Sequence, residues 1–109
     1  GPDEPTTTLG VSGLVTDQNG RAIKSAQIIL HNTTQQLLDT VYTNASGYYS
    51  GYYGFDFLIN IGDTLSVIAL EPFYNFYDTT KLAFADMDYH TSAWSMDYSA
   101  EVNIQLKKK

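Results

Sequence analysis

The richest chemistry in this chain lies in its aromatic side chains. It carries nine Tyr, five Phe and one Trp, of which six fall in 48–57 and four in 73–77. Adjacent residues of a strand point to opposite faces, so Tyr48 and Tyr52 cannot join Tyr49 and Tyr53 in one core. A rigid ring with a polar tip holds sugars and proteins at low entropic cost. Tyr48, Tyr52, Phe73, Tyr74, Tyr77 and Trp94 therefore form the candidate ligand-binding face. The alternative is a second packed layer beneath a loop carrying Trp94, and the sequence leaves both open.

The ionisable residues offer less. Asp86, Asp88 and His90 alternate, and on a strand they would share one face as mixed oxygen and nitrogen donors. Spacing fixes no further ligand, so they read as a solvated acidic loop, and no metal site is expected. Asp17-Gln18-Asn19-Gly20 resembles the start of a calcium loop but lacks the distal bidentate acid, and reads as a turn. Asn32-Thr33-Thr34 and Asn44-Ala45-Ser46 are glycosylation sequons in expected turns, which makes Asn32 and Asn44 the candidate modification sites. His31 and His90 stand among scattered serines and acids. No nucleophile elbow, phosphate loop or paired-histidine motif accompanies them. Carboxylate pairs can assemble from distant residues, but the pattern names no catalytic residue and no cofactor. The expectation is that the chain is not an enzyme.

The composition bounds the partners. Its 109 residues are 43% hydrophobic and 17% charged, enough for one buried core. A formal net charge of -6 argues against nucleic acid and against docking on anionic lipid. No Cys is present, which removes thiol catalysis and thiolate metal sites. No apolar run reaches the roughly twenty residues of a membrane span, so direct membrane insertion is not expected. Gly1-Pro2 looks like a protease scar, which makes the neighbouring domains of a larger parent protein the expected partners, with a carbohydrate or protein ligand as a further one.

The elements that position these residues are strands. Residues 1–8 read as a linker, 9–106 as the folded domain and 107–109 as a basic tail. Val11, Gly13 and Val15 share one face of a first strand; Gly13 implies close approach of another backbone, or a bulge. Ala26, Ile28 and Leu30 alternate inward on a second strand, and a third runs from Leu38 to Thr43. Further strands are expected at Tyr48–Gly54, Thr64–Leu70 and Glu101–Leu106, the last with Val102, Ile104 and Leu106 inward. The stretch from Tyr77 to Ala85 offers another strand, and Asp86–Met96 reads as a long loop. About seven short strands without a sustained helical period give an all-β, single antiparallel sandwich.

Three blocks carry a family resemblance: Val11, Gly13, Val15, Asp17 and Gly20; then Ala26, Ile28 and Leu30; then Thr43, Gly47 and Tyr49. In this order and spacing they resemble the carboxypeptidase regulatory-like domains, with Ala22 where Pro is usual and Asn44 where Asp is usual. The resemblance covers about two thirds of the chain and leaves 73–96 unmatched. It implies a prealbumin-like or Ig-like sandwich, a non-catalytic module of an extracellular or cell-surface protein, and the expected role is that of a spacer or adhesion element. A carbohydrate- or protein-binding module using the tyrosine-rich face is the runner-up, and a small hydrolase domain the third reading.

Overall fold

The computed structural model describes residues 6–54, 57–73 and 76–107, with the backbone alone at 76–78. Among the described residues, nine strands run in chain order. They are β1 (Thr6–Thr16), β2 (Gln27–Asn32), β3 (Leu37–Tyr42), β4 (Tyr48–Tyr53), β5 (Leu65–Glu71), β6 (Phe76–Leu82), β7 (Asp88–Thr91), β8 (Ser95–Glu101) and β9 (Ile104–Gln105). A short 3-10 turn, Phe84–Asp86, joins β6 to β7, and no described helix is long and apolar enough to cross a membrane.

The strands form a two-sheet sandwich. One sheet has the order β4-β1-β8-β7, with β9 continuing along β1; the other is β3-β2-β5-β6. The core between them alternates as the sequence predicts. Leu9, Val11 and Val15 of β1, Ile28 and Leu30 of β2, and Leu65, Val67 and Ala69 of β5 are all buried. Val102, Ile104 and Leu106 are also buried, while Glu101, Asn103 and Gln105 are exposed. Pairing is antiparallel except where β8 and β9 run parallel to β1.

Gly13 marks the tightest crossing. A Cβ there would overlap the Val102 carbonyl, and the same carbonyl accepts a hydrogen bond from the Tyr49 hydroxyl at 2.7 Å. Tyr49 is the cross-strand partner of Gly13. The missing side chain thus lets the returning chain pass, and the tyrosine locks it there.

Two expectations need correction. β1 starts at Thr6, and Thr8 is buried against Gly54, so the linker does not extend to residue 8. The long loop expected over Asp86–Met96 is in large part a hairpin, β7 with the start of β8. Its turn is held by the Ser92 hydroxyl, which accepts the backbone N–H of Trp94 and of Ser95. The alternation that specifies β8 is Ser95, Asp97, Ser99 and Glu101 against Met96, Tyr98, Ala100 and Val102. It runs directly into the final buried residues, which is why a boundary at Glu101 hid it.

Candidate functional site

Strand β4 separates its tyrosines cleanly. Tyr49 and Tyr53 are buried, whereas Tyr48 and Tyr52 are 55% and 63% exposed on the outer face of the sheet. Burial, then the nearby Asp39 carboxylate, pushes the Tyr53 phenol up to about 12. Burial also raises Tyr49 strongly, with a smaller contribution from Tyr53. Both phenols therefore keep their protons at neutral pH, and the Tyr49 hydroxyl donates its own to the Val102 carbonyl.

The outward residues of β1, β4, β8 and β7 build a groove. Across the sheet, Gly10 pairs with Tyr52 on one side and Ser99 on the other, and Ser99 pairs with Asp88. Two residues along, Thr8 pairs with Asp97 and Asp97 with His90. Tyr52, Gly10, Ser99, Asp88, His90 and Asp97 line a shallow groove of about 360 Å3, while Tyr89 and Tyr98, the alternate residues of β7 and β8, turn their rings to the other face of the sheet. These two rings stack with centroids 5.6 Å apart, and Phe84 meets Tyr98 edge-on at 4.9 Å. Geometry of this kind is favourable for aromatic pairs and braces β7 and β8 from behind the groove.

Asp97 is the most constrained polar group in the groove. The Thr8 hydroxyl donates to its Oδ1, and the Ser95 hydroxyl donates to Oδ2 at 3.0 Å. These donors, the Thr8 hydroxyl first, and then the His90 charge hold its carboxyl below the ordinary value. The groove therefore offers one exposed tyrosine ring, that of Tyr52, a bare backbone floor and a fixed row of acceptors. Such a site suits a neutral ring that brings its own hydroxyl donors; an anion would meet Asp88 and Asp97.

The six-residue face expected from sequence is not gathered into one. Tyr48 and Tyr52 lie on β4, and the 84%-exposed Trp94 sits in the β7–β8 turn, covering neither. Phe73 lies in the turn after β5, and Tyr77 lies on β6 of the other sheet. Tyr74 lies outside the described residues. The strands carrying these rings were assigned to two sheets by topology that spacing alone does not encode. Gly10, Ser99 and Asp97 were not singled out from sequence; the alternation in β8 was the signal for the latter two.

The two sequons differ in access. Asn32 is fully buried, and its amide donates to Asp63 at 2.8 Å and to the Leu58 carbonyl at 3.1 Å. Asn44 is exposed, with its side-chain oxygen accepting the N–H of Ser46 and of Tyr48. Asp86 lies in the 3-10 turn, off the strand that carries Asp88 and His90. Asp17 closes its turn by accepting the N–H of Asn19 and of Arg21.

No family model and none of the curated proteins matches the chain. Solved structures do. The dioxygenase domain of a dioxygenase–carbohydrate-binding fusion from Streptomyces sp. SirexAA-E matches with a TM-score of 0.63 at 14% identity, over 95% of this chain and 82% of that one. Catechol 1,2-dioxygenase of Acinetobacter radioresistens matches at 0.67 and 16%, over 95% of this chain and 53% of that one. Hydroxyquinol 1,2-dioxygenase of Pseudomonas putida matches at 0.68 and 12%, over 97% and 58%. The chain shares its two-sheet sandwich fold with these enzymes. It spans little more than half the length of the last two enzymes. The expected spacer or adhesion module is corrected on this finding, and so is the expectation of a non-enzyme: the sandwich it shares is that of enzymes.

Oxygen chemistry of that kind calls for a redox-active metal or organic group. Among the described residues, no three His, Cys, Asp or Glu side chains come together as metal ligands. His31 lies on β2 and His90 on β7, in different sheets. The described side chains do not fit an imidazole- and carboxylate-held metal centre, and no oxygen-activating step is assigned to them.

Proposed function

We propose that this chain is the ring-holding domain of a larger enzyme with a dioxygenase-type fold, taking a small hydroxylated aromatic of the catechol or hydroxyquinol class. The observation that carries the reading is the outer groove, in which Tyr52 faces a row of hydrogen-bond acceptors across bare backbone. Fold likeness to catechol and hydroxyquinol dioxygenases supports that ligand class. In this reading Tyr52 contacts the ring, while Ser99, Asp88 and His90 take its hydroxyls. Asp97, clamped by Thr8 and Ser95, keeps that rim in place. The reactive groups come from other parts of the protein, as the short span relative to the neighbours allows.

Kinship with the carboxypeptidase regulatory-like modules and a location outside the cell belong to the same proposal, and rest on the three sequence blocks. Protease treatment of intact cells that make the parent protein tests the location. Calorimetric titration with catechol and hydroxyquinol tests the function. Saturable binding is expected, weakened about tenfold by Tyr52→Ala, the loss of roughly 1.4 kcal/mol of ring contact. No saturable heat with either compound refutes the reading.

A further inference from the structure

Gly10 is a glycine that the fold does not require. Gly20, Gly47, Gly54 and Gly62 all have positive φ. Gly13 and Gly51 are hemmed in, the first by the Val102 backbone and the second by the Tyr53 side chain. Gly10 has neither reason: it lies within extended β1, and a Cβ built on it meets no atom within 4 Å. Glycine in a strand interior costs about 0.5–1 kcal/mol relative to alanine. Where a glycine weakens a strand, a cross-strand aromatic often folds over it in compensation. Here the partner is Tyr52, yet its ring stands clear of the place a Cβ would occupy and remains 63% exposed. A slot of bare backbone is left between Tyr52 and Ser99, on the floor of the groove.

We propose that Gly10 is the specificity-determining residue of this groove, keeping the β1 backbone bare so that a flat ring can lie directly on it. This inference rests on the ring-holding reading and adds to it a preference for planar over puckered rings. A flat ring on the slot reaches Tyr52 at one edge and the Ser99 and Asp88 acceptors at the other. A saturated ring of the same size, with substituents above and below its mean plane, stands off the strand and loses one set of contacts. A methyl at position 10 has the same effect from the protein side.

The test uses the whole chain with Gly10→Ala, Gly10→Val and Tyr52→Ala, measuring thermal unfolding and calorimetric binding of catechol and of a saturated six-membered cyclic diol. Gly10→Ala is expected to unfold at the same or a higher temperature while losing at least tenfold in catechol affinity, and Gly10→Val to lose more. The wild type should prefer catechol to the saturated diol, and that preference should shrink in both variants. Stable Gly10 variants that bind catechol as the wild type does overturn this inference, while a loss in Tyr52→Ala alone keeps the ring-holding reading. A Gly10→Ala protein that unfolds several degrees lower overturns it too, because the glycine is then structural. A wild type that binds neither compound overturns both.

Discussion

Tyr49→Phe isolates one atom at the point where the chain's return path crosses β1. The Tyr49 hydroxyl donates to the Val102 carbonyl at 2.7 Å, and the tyrosine is only 4% exposed. Removing it takes away a hydrogen bond worth about 1 kcal/mol net and leaves a buried carbonyl short of a partner, for a total of about 1–3 kcal/mol. For a domain of roughly 100 residues, each kcal/mol lowers the midpoint by about 4–8 °C, so a fall of roughly 4–24 °C is expected. Thermal and urea unfolding followed by circular dichroism reads the effect, with Tyr48→Phe as the exposed control. The urea slope should stay unchanged, since the same surface is exposed on unfolding. A fall within two degrees or so of the control refutes the argument, for water would then be reaching the Val102 carbonyl and the crossing would not be closed.

Two further outcomes follow from the polar clamps. The folded Asp97 carboxyl lies below its ordinary 3.8, so its stabilising contribution is present above that value and lost as pH falls through the lower folded one. Asp97→Asn should therefore flatten the acid limb of the stability curve below about pH 4, and parallel limbs for variant and wild type speak against the clamp. Asp63 accepts from the Asn32 amide at 2.8 Å and the Asn60 N–H at 2.9 Å, pinning the loop before β5 to β2. Asp63→Ala should cost about 2–3 kcal/mol in urea titrations, and a loss under 0.5 kcal/mol would show that the loop is held by its buried Phe57 and Ile59 instead.

Much of the sandwich was legible because its inward residues obey period two. Val11 and Val15, Ile28 and Leu30, and Val102, Ile104 and Leu106 are buried as that alternation requires. The close approach read from Gly13 is there as well, against the Val102 carbonyl. The β7–β8 hairpin was missed for a physical reason. Its β7 half is exposed throughout, so no burial constrains its composition, and its serine turn lacks the Asn-Gly or Asp-Gly signature of a tight hairpin. The groove was less legible still. Its aromatic half showed in Tyr52, but its acceptors come from β7 and β8, and only the parallel return of β8 along β1 brings Ser99 and Asp97 beside Gly10 and Thr8. Nothing in the spacing of an 11-residue strand says which later strand will lie against it.

The pairing of β1 with β4 carries two separate tasks on its two faces. Inward, Gly13 and Tyr49 admit and lock the returning chain; outward, Gly10 and Tyr52 leave a slot open. The same two residue types serve both ends, but for opposite reasons. At Gly13 a side chain is excluded by backbone already present, whereas at Gly10 the space is empty and the fold gains nothing from it. Residues on opposite faces of a strand do not touch, so their substitutions should act independently on stability and binding. That independence is what makes a stability penalty at Gly10 informative: a residue kept against its own strand's preference is one whose use lies outside the fold.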